Sequence, residues 1–256
     1  MDLGLSGKRI LITGASKGIG RAIAEVLAEE GCSLHLASRT EADLARARDE
    51  INEKHGVQVM THPLDLSDGE NAKRLAQETE GIDILVNNAG AIPGGDIEMV
   101  TEEIWREAWN LKVFGYINMC REVYPAMCKR GSGVIFNVVG MAGVGPRANY
   151  VAGSVGNAGL DALTVALGSE SINYGVRVLG IHPGAIETER LTTIYKQMAS
   201  RDLGDENRYK EMYKGLPADR PGTPEECATV AAVLISEKSY WLNGVVIPVN
   251  GRGQGW

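Results

Sequence analysis

Short apolar runs alternate along the chain with longer stretches whose apolar residues recur at helical spacing. The first run, residues 9–12, ends in a glycine turn, and residues 21–30 then follow the period of a helix that stops at Gly31. Six further apolar runs follow, at residues 33–37, 57–59, 84–86, 134–139, 176–179 and 245–247. Seven strands separated mostly by helices predict an α/β fold, in which a parallel seven-stranded sheet carries helices on both faces.

A long polar segment at residues 189–221 interrupts this alternation. It contains scattered large side chains, namely Tyr195, Met198, Tyr209, Met212 and Tyr213. A long insertion in a compact α/β domain is often a lid or a substrate-binding element, and a solvated helical hairpin is the alternative. Because no linker or internal repeat is found, residues 1–256 are predicted to form a single domain with residues 189–221 as a substrate lid.

Composition and charge narrow the classes of function. The net charge is −7, which argues against a nucleic-acid partner, because a phosphate footprint needs a basic face. No apolar run approaches the roughly 20 residues of a membrane-spanning helix, and no secretory signal is visible, so a cytoplasmic protein without a membrane partner is predicted. The four cysteines and four histidines are scattered, which favours free thiols and no metal site.

A glycine-rich turn, Thr13 to Gly20, follows the first strand and leads directly into a helix. Glycines at such a turn let the backbone approach a pyrophosphate, whose charge then faces the helix N-terminus. The spacing G-x-x-x-G-x-G differs from the common dinucleotide fingerprint, but its place between strand and helix supports the same function. The predicted cofactor-binding residues of this turn are Gly14, Ser16, Lys17, Gly18, Ile19 and Gly20.

The end of the second strand predicts which nucleotide binds. A dinucleotide-binding fold expects an acidic residue about 20 positions after the glycine turn, where it bonds the ribose 2′-hydroxyl. This chain has Ser38 and Arg39 there and no carboxylate. Arg39 and Lys17 would attract a 2′-phosphate that an aspartate would repel, so NADP(H) is predicted over NAD(H). The alternative is a pair of surface cations that bind no phosphate.

Four motifs together resemble the short-chain dehydrogenase/reductase family. They are the glycine turn, Asp65 after the third strand, residues 87–90 (Asn-Asn-Ala-Gly) after the fourth and Pro183-Gly184 after the sixth. The resemblance runs from about residue 8 to about residue 250 and implies a Rossmann-type, doubly wound sheet. It also implies further cofactor contacts: Asp65 and Leu66 near the adenine, Asn88, Ala89 and Gly90 along the adenosine side, Pro183 and Gly184 on the nicotinamide side, and Ile186 and Thr188 beside the nicotinamide amide.

The resemblance further implies four catalytic positions, an Asn, a Ser and a Tyr followed four residues later by a Lys. Asn110 matches the Asn and is expected to support a proton relay. Alignment of the fifth strand and the next helix puts Gly140 at the serine position, Gly153 at the tyrosine and Asn157 at the lysine. The Ser-Tyr-Lys groups are therefore expected to be absent, and Asn157 is expected to hold only a ribose hydroxyl of the cofactor.

A replacement proton donor would have to come from nearby residues. Tyr150, Ser154 and His182 are the candidates, and Tyr150 is preferred because its phenol resembles the lost one; an ordinary, partly buried tyrosine is the alternative.

The favoured function is an NADP(H)-dependent oxidoreductase acting on a small-molecule carbonyl or alcohol. A non-catalytic NADP(H)-binding sensor or partner subunit is the alternative. Non-redox chemistry, as in halohydrin dehalogenases, fits less well, because those proteins lose the glycine motif and keep Ser and Tyr.

The resemblance also implies a homotetramer. In this family, the helix with the Tyr and Lys positions packs against its symmetry mate. In this chain that helix carries Ala158, Leu160, Ala162 and Val165, an apolar surface that would be a liability on a monomer.

Overall fold

The computed structural model describes residues 1–252, so the last four residues of the predicted domain, 253–256, lie outside the described residues. One seven-stranded sheet, with every neighbouring pair parallel, has the strand order β3-β2-β1-β4-β5-β6-β7. The strands are β1 (Arg9–Thr13), β2 (Ser33–Ser38), β3 (Val59–Pro63), β4 (Ile84–Asn87), β5 (Gly133–Val138), β6 (Val176–Pro183) and β7 (Val246–Val249). The predicted doubly wound, Rossmann-type α/β sheet is confirmed.

Helices cover both faces of this sheet. They are α1 (Gly18–Glu29), α2 (Glu41–His55), α3 (Gly69–Glu78), α4 (Glu102–Trp109), α5 (Gly115–Arg130), α6 (Val151–Ser171), α7 (Glu189–Leu203) and α8 (Pro224–Ile235). Ile10 and Ile12 pack in the core cluster that includes α1 and α8, whereas Leu11 between them packs in the cluster of α3 and α5. Both faces of this strand are therefore buried, which explains why its apolar run is unbroken.

The third strand differs from its prediction. Residues 57–59 were expected to form it, but it runs from Val59 to Pro63 and pairs with β2 alone. An edge strand buries less of its surface than a central one, so it tolerates polar residues such as Thr61 and His62. The apolar pattern therefore points to the start of this strand rather than to its whole length.

The structure also bears on the cysteines and on membrane insertion. All four cysteines are free thiols, as predicted; Cys32, Cys120 and Cys227 are buried and Cys128 is partly buried. Within residues 1–252, no helix is long and apolar enough to cross a membrane.

The strand order reverses between β1 and β4, which places a crevice at the carboxyl ends of these strands. In open α/β sheets, ligands bind at this kind of switch point. The glycine turn after β1 and residues 88–90 after β4 both lie there. A five-residue π-helical turn, Asn110–Phe114, joins α4 to α5, and such turns are frequent at functional sites.

Candidate functional site

A cleft of about 1880 Å³ opens at the carboxyl ends of the central strands. Most of the predicted cofactor residues line it: Gly14, Ser16, Lys17, Gly18, Ile19, Ser38, Arg39, Leu66, Asn88, Ala89, Gly90, Asn157, Pro183, Gly184, Ile186 and Thr188. Gly20 and Asp65 do not line it. The carboxylate of Asp65 instead accepts a hydrogen bond from the Ser67 backbone N–H at 2.9 Å.

The glycine turn is held in place by Asn88. Its side-chain amide donates to the carbonyl oxygens of Thr13 and Gly14 at 3.0 and 3.1 Å. A Cβ at Gly20 would lie 2.4 Å from the Asn88 Nδ2 atom, so Gly20 serves the site by close packing. Helix α1 has no acidic residue in its first turn and no side-chain cap. Its N-terminal amides are therefore available to an anion in the cleft.

The end of the cleft where adenosine is expected, called the adenosine end below, contains polar groups without partners. The Ser38 hydroxyl is buried and has no hydrogen-bond partner. Arg39 is exposed and, within residues 1–252, makes no hydrogen bond or ion pair. Lys17 instead lies 3.8 Å from the Asp43 carboxylate and 3.4 Å from that of Glu189. This end therefore offers an anion the hydroxyl of Ser38 and the guanidinium of Arg39, whereas Lys17 is partly neutralised.

The predicted catalytic positions 140, 153 and 157 meet at the end of β5 and the start of α6. Gly140 has φ +143°, a backbone conformation that a side chain rarely adopts. A Cβ placed there would lie 3.0 Å from the Asn157 amide nitrogen. Asn157 is buried, and its side-chain oxygen has no hydrogen-bond partner. This orphaned acceptor, on a residue that lines the cleft, can receive a ribose hydroxyl.

Tyr150 occupies the space above Gly153. A Cβ at Gly153 would lie 2.1 Å from both the Cε1 and Cζ atoms of the Tyr150 ring, so no side chain fits at 153 while the ring is there. Tyr150 is half-buried, lines the cleft and packs against an apolar cluster that includes Ile92 and Ala152. The ring of Tyr150 thus fills the volume that a side chain at position 153 would otherwise occupy.

The other two candidate proton donors lie outside the cleft lining. The Ser154 hydroxyl donates to the Tyr150 carbonyl at 3.0 Å and accepts from the Arg147 backbone N–H at 3.0 Å. His182 is buried, with Nδ1 2.9 Å from the Gly140 carbonyl oxygen and Nε2 3.0 Å from Asp161. Of the three candidates, Tyr150 alone lines the cleft.

Asn110, which is expected to support a proton relay, begins the π-helical turn. The carbonyl of Asn110 accepts a hydrogen bond from the Gly115 N–H. Asn110 is exposed and does not line the cleft. Its part in a proton relay remains a prediction.

Lys112, in the same turn, is a cleft residue that the sequence analysis missed. It is buried, and its ammonium donates to the Val138 carbonyl at 2.7 Å and to the Tyr116 hydroxyl at 2.8 Å. Within the described chain no carboxylate pairs with it. Burial, with a smaller contribution from the Arg190 charge, lowers its pKa to about 7. A lysine four residues before a tyrosine, in an otherwise apolar helical stretch, is the sequence signal for this pair.

This buried lysine predicts a stability that depends on pH. An unfolded lysine has a pKa of about 10.4, so between about pH 7 and pH 10 the unfolded chain binds one more proton than the folded protein. Stability conferred at this site therefore rises with pH across that window. We expect Lys112→Met to stabilise the protein more at pH 6 than at pH 9, as measured by urea unfolding. Equal changes at the two pH values would contradict this.

The segment at residues 189–221 forms one wall of the cleft. It consists of α7 and two 3-10 segments, Glu206–Tyr213 and Pro217–Asp219, and α7 contributes several cleft residues. Tyr213 packs edge-on against Tyr195 and Tyr209, with ring centroids 5.2 and 6.0 Å apart. The segment is thus a helical unit with its own aromatic contacts and one face on the cleft.

Comparison with known proteins agrees with this geometry. A family model described as short chain dehydrogenase matches residues 8–199. The 3-oxoacyl-[acyl-carrier-protein] reductase FabG of Vibrio cholerae is 33% identical to this chain, and the alignment covers 97% of this chain and 98% of that protein. The FabG of Chlamydia muridarum is 32% identical, and the alignment covers 96% of this chain and 97% of that protein. L-sorbose reductase from Gluconobacter frateurii, solved with NADPH and L-sorbose, has a TM-score of 0.91 at 33% identity, covering 99% of this chain and 98% of that one.

Proposed function

We propose that this chain, which belongs to the short chain dehydrogenase family, is an NADP(H)-dependent carbonyl reductase that uses Tyr150 as its proton donor. One observation carries the proposal: the ring of Tyr150 lies over Gly153, where the family's tyrosine is expected, and lines the cleft. A phenol reaching the site from three residues earlier would compensate for the absent side chain.

The residues of the cleft fit a nicotinamide dinucleotide. The free amides at the start of α1 suit a pyrophosphate, and the buried, unpartnered hydroxyl of Ser38 with the guanidinium of Arg39 suits a 2′-phosphate. The orphaned acceptor of Asn157 suits a ribose hydroxyl. The binding of NADPH by the similar L-sorbose reductase supports the preference for the phosphorylated cofactor.

The protein contributes binding, orientation and a proton. NADPH, when bound, supplies the hydride to the carbonyl carbon. Tyr150 donates its phenolic proton to the carbonyl oxygen as negative charge develops there, and solvent restores that proton afterwards. The bonds that tie up Ser154 and His182 leave neither facing the substrate. The wall formed by residues 189–221 would close over the substrate and limit the access of water.

A screen with NADPH tests this function against the non-catalytic alternative. The purified protein is supplied with NADPH and panels of diketones, quinones and bulky aldehydes, and the loss of NADPH absorbance is followed. We expect turnover of at least one class. If NADPH binds in calorimetry but no carbonyl compound is reduced, the chain is a cofactor-binding protein rather than a reductase.

We also expect a homotetramer that uses α6. Val155 and Val165 on this helix are 47% and 50% exposed, and Ala158 and Ala162 between them are also exposed. The prediction that Leu160 contributes to this surface is wrong, because Leu160 is fully buried against Tyr116 and Val139.

Light scattering is expected to give four times the 27.5 kDa chain mass. Val165→Glu should reduce it, whereas a monomeric wild type at micromolar concentration would refute the assembly.

A further inference from the structure

The cleft carries a charge opposite to that of the whole chain. Among its lining residues, lysines and arginines outnumber aspartates and glutamates by eight to two, although the chain has a net charge of −7. A cleft lined by one sign of charge concentrates ligands of the opposite sign. The distribution therefore favours anionic ligands, and the nucleotide phosphates account for only part of it.

Some of this positive charge is already neutralised or assigned. The two cations at the adenosine end belong to the proposed 2′-phosphate contact. Arg220 is held by both carboxylate oxygens of Glu226, at 2.9 and 2.7 Å. Arg201 pairs with Asp202. These arginines have little capacity left for a substrate.

Arg190 is not neutralised in this way. It is the second residue of α7, and its guanidinium donates to the backbone carbonyl of Ile92, another cleft residue. Within the part of the chain that the structure describes, no carboxylate pairs with it. A carbonyl accepts from one end of the guanidinium and leaves other N–H donors available. The amino group of Lys112 is close enough for the positive charge of Arg190 to lower its pKa. Lys112 therefore does not neutralise Arg190.

Arg190 is linked to the proposed proton donor through Ile92. The carbonyl that accepts from the Arg190 guanidinium belongs to Ile92, and Tyr150 packs against the apolar cluster that contains Ile92. A carboxylate bound to Arg190 would therefore hold the rest of a small substrate close to Tyr150.

We propose that the substrate is an oxo acid, whose carboxylate is bound by Arg190 while its carbonyl oxygen faces Tyr150. The guanidinium group binds a carboxylate through two parallel hydrogen bonds, which fixes orientation as well as charge. This inference rests on the proposed reductase function. In the reaction, NADPH gives a hydride to the carbonyl carbon and Tyr150 gives a proton to its oxygen. The products are a hydroxy acid and NADP⁺, and a proton from solvent returns to Tyr150.

Matched pairs of acids and esters test this proposal. Acetoacetate and levulinate are compared with their methyl esters, with NADPH at pH 7. We expect kcat/KM to be at least about tenfold higher for the acids, a difference that added salt should reduce. Arg190→Met should raise KM for the acids by about tenfold and leave the ester values and the Kd of NADPH unchanged. Arg121→Met is the control, because Arg121 is exposed on α5 and does not line the cleft.

Calorimetry separates this proposal from the reductase function. Each acid and its ester is titrated into protein saturated with NADP⁺, which cannot reduce them. Binding of the acids that Arg190→Met abolishes, without turnover of any compound, would support the carboxylate site and refute the reductase. Equal turnover of acids and esters would overturn the carboxylate site and keep the reductase. Loss of NADPH affinity in Arg190→Met, with the acid preference intact, would assign Arg190 to the cofactor and also overturn the proposal.

Discussion

Tyr150→Phe is expected to lower kcat for carbonyl reduction by about 10²- to 10⁴-fold, the range that general acid catalysis contributes. The substitution removes the phenolic proton and keeps the ring that fills the space over Gly153. Packing against the apolar cluster around Ile92 should therefore persist. Steady-state kinetics with a carbonyl substrate of the wild type measures the effect, and the Kd of NADPH should not change.

The control for this variant is Tyr174→Phe. Tyr174 is 52% exposed and does not line the cleft, so its hydroxyl has no expected role and kcat should stay at the wild-type value. An active wild type matched by Tyr150→Phe would keep the reductase and discard Tyr150 as the proton donor. The Asn110 relay would then be the remaining prediction to test.

Arg39→Asp is expected to invert the preference between the two cofactors. We expect the wild type to bind NADP(H) at least about tenfold more tightly than NAD(H), and the variant to show the reverse. The combined shift is at least about 100-fold, or about 2.7 kcal/mol. An aspartate there repels a 2′-phosphate and can accept a hydrogen bond from a 2′-hydroxyl. Isothermal titration with both cofactors gives the four affinities.

We expect Arg39 to contribute more to this selectivity than Lys17 does. The Lys17 ammonium already lies near the carboxylates of Asp43 and Glu189, whereas Arg39 has no ion pair among residues 1–252. Arg48→Asp is the matched control, because Arg48 is partly exposed on the following helix, pairs with Asp49 and does not line the cleft. Its cofactor preference should equal that of the wild type. Similar affinities of the wild type for the two cofactors would refute the role of Arg39.

The sequence alone determined the sheet, the glycine turn and the position of the cofactor cleft. Strand runs such as residues 134–139 are recognisable because a parallel strand buries both of its faces. The turn from Gly14 to Gly20 is recognisable because backbone must approach phosphate closely there. These signals are local, since each depends on residues that are neighbours along the chain. The topology then brings the ends of the strands together at one edge of the sheet.

Tertiary structure alone decided what the individual side chains do at this edge. The ion pair of Lys17 with Glu189 joins residues 172 positions apart, and Lys112 is buried because β5 supplies the Val138 carbonyl. The ring of Tyr150 lies over Gly153. Alignment alone could suggest only that Tyr150 is close enough along the chain to reach that position. Each of these contacts depends on packing between elements distant in sequence. No periodicity records that packing, because it arises only when the whole sheet and its helices are assembled.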